Sequence, residues 1–216
     1  MSPKKKKKKK KKISQSLSNA FHRKVWDTHT GECLNTLQHS HIVRTVAFPV
    51  QFSPQVLATG GAERKLRIFD LTNESGYEIG PGVHQGTIKS IIWNQDYNIL
   101  STAAEDQKIR WWDLRSRNPI VEYPVEGPIG SYDVNSRPND STGILSIAAG
   151  RSVHLFDGLV PGRLLRKIDF PYEVASAAVN DETARLVTGS PETTWARVYD
   201  LHTDEELGIA FFPFCF

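Results

Sequence analysis

The chain has 216 residues, 39% of them apolar and 24% charged, enough to bury a sizeable core. No stretch approaches the roughly 18 to 20 apolar residues of a bilayer-spanning helix. The net charge of +3 contains nine consecutive lysines, Lys4 to Lys12, and subtracting them leaves −6 elsewhere, which argues against a broad basic face for nucleic acid.

Residues 1–20 hold the lysine run and then a polar stretch without strand or helix periodicity, so this lysine-rich segment is expected to be disordered. One reading makes the run a nuclear-import or anionic-surface tag; the other makes it a plain solvated segment. From Phe21 a pattern sets in. Lys24-Val25-Trp26-Asp27 reads as the third strand of a blade, Thr28 to Gly31 as its turn and Glu32 to Leu37 as the fourth, the first two strands of that blade being absent from the pattern. The pair of aromatic residue and Asp then returns as Phe69-Asp70, Trp112-Asp113, Phe156-Asp157 and Tyr199-Asp200, at intervals of 43, 43, 44 and 43 residues from Trp26-Asp27 onward. A period of about 40 to 45 residues ending in such a pair marks the four-stranded blade of a β-propeller.

Between these pairs the strands follow in order. Val43–Phe48, Val56–Gly60, Leu66–Asp70 and Tyr77–Ile79 form one blade, with His39 and His41 in the loop before it. Ile88–Trp93, Ile99–Ala103, Ile109–Asp113 and Ile120–Tyr123 form the next. Ile129–Val134, Ile144–Ala148, Val153–Asp157 and Leu164–Ile168 form a third, with Glu126-Gly127-Pro128 where the other loops carry His. Val174–Val179, Leu186–Gly189 and Ala196–Asp200 begin a fourth, which is expected to break off after Glu206-Leu207 into an apolar tail, residues 208–216. The expected fold is therefore an all-β, incomplete propeller over residues 21–207, three full blades flanked by two partial ones.

The blade ending in Trp112-Asp113 is the best preserved, and it carries a set of polar residues able to link its strands. Asp106 can accept a hydrogen bond from His84, which can engage Thr102 and then the indole N–H of Trp112. The rival reading of a His, Thr and Asp set is a hydrolytic triad. Here the fourth member is a strand Trp inside a structural repeat, so the set reads as a register pin and no catalytic residue is assigned. No glycine-rich phosphate loop, Cys-x-x-Cys pair or nucleophile elbow occurs in the sequence, and no cofactor or metal is expected. The two cysteines, Cys33 and Cys215, form no disulfide framework and no apolar secretory segment follows Met1, which points to an intracellular, reducing setting.

With these residues in hand, the chain resembles the WD-repeat proteins, and more narrowly the serine-threonine kinase receptor-associated (unr-interacting) family. The residues that carry the likeness are Lys24-Val25-Trp26-Asp27, His41 to Val46, Thr59-Gly60-Gly61, Leu66 to Leu71, Gly150 to Val153, Tyr199-Asp200 and Glu205 to Leu207. Subunit I of eukaryotic translation initiation factor three is similar in repeat pattern and less so over His41 to Val46 and Gly150 to Val153. The resemblance implies seven blades, of which this sequence would be a fragment. It also implies a cytoplasmic scaffold without catalytic activity, with a nuclear share if the lysine run acts as an import tag. The partners it implies are components of the survival-of-motor-neuron complex, unr-like RNA-binding proteins and receptor serine/threonine kinases, with RNA met only indirectly and no small-molecule substrate. RNA binding through the lysine run is the second alternative to a scaffold.

Propeller geometry places the loops before the inner strands and the turns between second and third strands on one rim. That rim would display Ser40, Arg44, Glu63, Arg64, Gln85, Lys89 and Glu105, the candidate partner surface. For the lysine run the expected outcome of limited trypsin digestion is cleavage throughout Lys4 to Lys12 before any cut in the repeats. Protection of those bonds would contradict a disordered segment.

Overall fold

The computed structural model describes residues 21–49, 55–73, 75–94, 96–135, 143–193 and 195–211. Residues 1–20 and 212–216 lie outside it, and with them the expectation for the lysine run and the end of the apolar tail. Among the described residues the chain is all-β, with no helix.

The aromatic-Asp period becomes a row of antiparallel sheets, each strand hydrogen-bonded to the one before it in sequence. The first sheet has two strands, β1 (Phe21–Trp26) and β2 (Cys33–His39). The second has four, β3 (Val43–Ala47), β4 (Val56–Gly61), β5 (Leu66–Asp70) and β6 (Ser75–Ile79). The third is β7 (Ile88–Trp93), β8 (Ile99–Ala104), β9 (Lys108–Asp113) and β10 (Asn118–Pro124). The fourth is β11 (Ile129–Asn135), β12 (Ile144–Ala149), β13 (Ser152–Asp157) and β14 (Leu164–Asp169). The fifth is β15 (Ser176–Asn180), β16 (Arg185–Gly189), β17 (Trp195–Asp200) and β18 (Glu206–Phe211).

The fifth sheet departs from the sequence reading. Its last strand was expected to stop after Leu207, yet β18 runs on to Phe211 and pairs Trp195 with Phe211 and Arg197 with Ile209. A strand on an existing edge is held by backbone hydrogen bonds, which need neither alternation nor turn residues. Four sheets thus have four strands where three were expected.

The sheets stack face to face because adjacent residues of a strand point to opposite faces. Ile68 of the second sheet and Trp112 of the third meet in one core with Leu66, Ile79, Ile88 and Leu100. Trp111, one residue earlier, points the other way and packs with Tyr132, Leu145, Ile147 and Phe156 of the fourth sheet. Leu155 then meets Val174, Leu186 and Tyr199 of the fifth. The third and fourth sheets are therefore covered on both faces. Inner strands are tied directly as well: Trp93 Nε1 donates to Ala47 O at 2.9 Å and the Ala177 amide to Ser131 Oγ at 3.0 Å.

The recurring Asp has a local task in this architecture. Asp27 Oδ1 accepts the amides of His29 and Thr30 at 2.7 and 3.0 Å, Asp70 those of Thr72 and Asn73, Asp157 those of Leu159 and Val160, and Asp200 those of His202 and Thr203. Asp113 Oδ1 accepts the Arg115 amide at 2.9 Å. Each carboxylate closes the turn from third to fourth strand, because a short acidic side chain can mimic a backbone turn. Those amides hold the Asp27, Asp70 and Asp200 carboxyls below the usual carboxylate range.

A folded-state carboxyl held low contributes stability that is present above its unfolded value and lost as pH falls through the folded one. Chemical denaturation should therefore show the midpoint dropping below about pH 4. Asp113→Ala is expected to remove about 1 kcal/mol at neutral pH and to shrink nothing else in the spectrum of the folded state; an unchanged denaturant midpoint would contradict the turn-closing role.

Candidate functional site

The polar side chains gathered in the third sheet lie on β8, β9 and the loop before β7. Trp112 Nε1 donates to Thr102 Oγ1 at 2.9 Å, and Thr102 Oγ1 lies 3.3 Å from His84 Nε2. The next expected link, from His84 to Asp106, is absent. Arg110 stands between them: its NH1 is 3.1 Å from His84 Nδ1 and 2.8 Å from Asp106 Oδ2, with the guanidinium only 2% exposed. Asp106 Oδ2 also accepts the Gln85 amide at 3.1 Å, which ties the turn of β8 and β9 to the loop before β7. Outward, Arg110 Nε donates to Glu122 Oε1 at 3.0 Å and Lys108 Nζ to Glu122 Oε2 at 2.9 Å. The hydrogen bonds from Lys108 and Arg110 keep Glu122 below the usual carboxylate range, against the pull of partial burial.

Arginine has only donors, so His84 Nδ1 must accept, and Nε2 carries the proton and donates to Thr102. Burial, helped by the Arg110 charge, lowers His84 to about 4. The ring is neutral at pH 7, in one tautomer, and every member of the would-be triad is bonded to the sheet itself.

The second sheet repeats part of this chain with Glu in place of Asp. Glu63 accepts the Ser40 amide at 2.5 Å through Oε1, and its Oε2 forms an ion pair with Arg67 NH2 at 2.6 Å. His39 Nδ1 is 3.5 Å from Glu63 Oε1. His39, four residues before its inner strand as His84 is, fills the pocket, while His41 is exposed. Phe69 replaces Trp112, which removes the indole donor and leaves the buried Thr59 hydroxyl and His39 Nε2 without partners. The fifth sheet uses tyrosines: Tyr172 OH lies 2.7 Å from Thr188 Oγ1 and 2.8 Å from Tyr199 OH, and Tyr199 OH donates to Glu206 at 3.2 Å. Among the described residues the fourth sheet has no such chain. There Gly127 and Gly150, both at positive φ, bring the two backbones together so closely that a Cβ on Gly127 would lie 2.8 Å from Gly150 Cα. Its His154 is buried among Tyr123 and Phe156, without a hydrogen-bond partner.

The rim residues divide. Ser40, Arg44, Arg64, Gln85 and Glu105 are exposed. Glu63 is not on display: its side chain is 6% exposed and taken up by Arg67, His39 and backbone amides. Lys89 is half-buried, its ammonium donating to Ile129 O of the fourth sheet at 3.0 Å. Arg64 NH1 reaches Gln85 O at 3.3 Å, and a hydrogen bond from Thr87, with Lys89 and Arg44 nearby, holds the Glu105 carboxyl low. The aromatic members of the repeat follow the packing: Trp112 and Phe156 are fully buried, Tyr199 nearly so, Phe69 half-buried, and Trp26 on the two-stranded sheet is 53% exposed.

Arg110 was missed by sequence reading, and its signal was there. Arginine stands three residues before the repeat Asp at Arg67, Arg110 and Arg197, and all three bind a carboxylate. Arg110→Met should therefore cost about 3 to 5 kcal/mol, since it removes the charge paired with Asp106 and leaves His84 Nδ1 without a donor. Trp112→Ala is expected to cost a similar amount. Because His84 is lowered from 6.5 to about 4, the unfolded chain binds its proton first as pH falls. Stability conferred by His84 is thus complete above pH 6.5 and declines by about 3 kcal/mol toward pH 4, a slope that His84→Gln should flatten. Equal midpoints for wild type and Arg110→Met, or a His84 signal titrating near 6.5, would contradict this chain of bonds.

Comparison with known proteins agrees with the repeat geometry. Residues 31–70 and 82–113 match the "WD domain, G-beta repeat" model. Over 188 residues, 87% of its length, the chain is 31% identical to serine-threonine kinase receptor-associated protein of Rattus norvegicus and of Homo sapiens, covering 51% of each. It is 30% identical over 189 residues to the protein of the same name from Dictyostelium discoideum, covering 61% of it. It is also 28% identical over 154 residues to U5 small nuclear ribonucleoprotein 40 kDa protein of Dictyostelium discoideum, covering 41%. The chain carries WD repeats over residues 31–70 and 82–113, is similar to the serine-threonine kinase receptor-associated proteins along most of its own length and spans about half the length of the mammalian ones.

Proposed function

We propose that this WD-repeat scaffold works without catalysis as a component of the survival-of-motor-neuron complex in spliceosomal small nuclear ribonucleoprotein assembly, and as an adaptor for receptor serine/threonine kinases. The observation that carries the reading is the 31% identity to serine-threonine kinase receptor-associated protein over 87% of the chain. The likeness to a U5 ribonucleoprotein subunit runs in the same direction. The side chains that could do chemistry support the non-catalytic part. Thr102 bonds His84 directly and Arg110 bridges His84 to Asp106 inside a sheet, so these three do not form a free nucleophile–base pair. A cytoplasmic site of action belongs to the same proposal, with proteins as the direct partners and RNA reached through them.

The test is affinity capture of the tagged chain from extract, followed by identification of the core complex that accompanies it. Recovery with survival-of-motor-neuron and Sm proteins, resistant to ribonuclease, is the expected result. Recovery with initiation-factor-three particles instead, or only while RNA is intact and residues 1–20 are present, would overturn the assignment.

A further inference from the structure

The stack of sheets has a direction. In each contact between neighbouring four-stranded sheets the later sheet presents its repeat aromatic, and the earlier sheet presents the residue just before its own. Trp112 shares a core with Ile68, Phe156 with Trp111 at 5.1 Å between ring centroids, and Tyr199 with Leu155. Phe69 likewise faces the first sheet, its ring 5.5 Å from that of His39. Successive residues of a strand point to opposite faces, so the repeat itself fixes this order.

One half of that contact is left over at each end. Trp26, the repeat aromatic of the first sheet, is 53% exposed, with Lys24 Nζ 5.4 Å from its ring centroid. On the fifth sheet the residue before Tyr199 is Val198. It pairs with Val187 on one side and Gly208 on the other, so all three share the face turned away from the fourth sheet. Val187 is exposed there, and Val198, Gly208, Arg185, Leu207 and Ile209 border a recess of about 240 Å3.

The interior shows what such a recess receives. Gly80 directly follows the outer strand of the second sheet, and a Cβ on it would lie 2.2 Å from Trp112 Cζ3. A glycine beside the outer strand thus makes room for the repeat Trp of the next sheet. Gly208 lies on the outer strand of the fifth sheet, where an added Cβ would meet no atom within 4 Å. Trp26 holds the matching strand position, because β1 turns into β2 through Asp27 as β9 turns into β10 through Asp113.

We propose that copies of this chain associate head to tail, Trp26 of one copy entering the recess beside Val187, Val198 and Gly208 of the next. The occupant is a second copy because the chain carries both halves of the contact that its own sheets use, in the order in which they use it. Two different surfaces meet, so each pair keeps one aromatic end and one recess end for ring closure or further addition. The inference goes beyond the functional reading above and holds whichever complex the chain joins.

Sedimentation velocity of the full chain over a concentration series tests it. Expected is a particle larger than the monomer whose share grows with concentration. Trp26→Ser and Gly208→Phe should each weaken association about tenfold or more, with the melting temperature of the dilute monomer unchanged. Should Gly208→Phe unfold the chain, Val187→Asp carries the same prediction for the recess. Mixed in equal amounts, Trp26→Ser, which keeps its recess, and Gly208→Phe, which keeps its aromatic, are expected to form a two-copy particle that neither forms alone. A wild type that stays monomeric across the series, undiminished association in folded variants, or variants that stay apart on mixing would each overturn the proposal, the last by making the contact one between like surfaces.

Discussion

Two adjacent side chains of one strand, Trp111 and Trp112, are fully buried in two different cores. That two-sided burial is the constraint on which the rest depends. A four-stranded sheet of this composition has two apolar faces and cannot cover either by itself, so each blade is ordered by its neighbours. The same pair of directions recurs as Ile68 facing the third sheet, and as Leu155 and Phe156 facing the fifth and the third. Where a neighbour is missing the consequence is immediate: Trp26 and Val187 stay exposed, and β16 alternates buried and exposed residues where β8 and β12 are buried almost throughout.

Against that background the buried polar chains are devices of register. The third sheet links β8, β9 and the preceding loop through Trp112, Thr102, His84, Arg110 and Asp106; the second does so with Glu63 and Arg67; the fifth substitutes tyrosines. The fourth has close glycine contacts in place of a chain and is just as well packed. Packing is thus common to all the stacked sheets while the polar chemistry varies. In the third sheet His84, Thr102 and Asp106 are thus spent on holding strands together.

Much of this was legible in the sequence. The aromatic-Asp interval located every third strand, and the alternation on either side located the others to within one to three residues. Three things were hidden, each for a physical reason. The insertion of Arg110 between His84 and Asp106 depends on a long side chain reaching back over a turn, which residue types alone do not reveal, although its recurrence at Arg67 and Arg197 could have. The continuation of β18 rests on backbone pairing to an edge, which leaves no side-chain signature. The burial of Glu63 and the tethering of Lys89 on a rim read as exposed come from partners distant in sequence, Ser40, His39 and Ile129.

Native-state hydrogen exchange resolved strand by strand tests the central claim most directly, because local opening reports how much packing holds each element. If two-sided burial governs order, amides of β8, β9, β12 and β13 exchange slowest and as a group, while those of β2 and β18 exchange orders of magnitude faster. Uniform protection across all the sheets, or slowest exchange in an outer sheet, would contradict it.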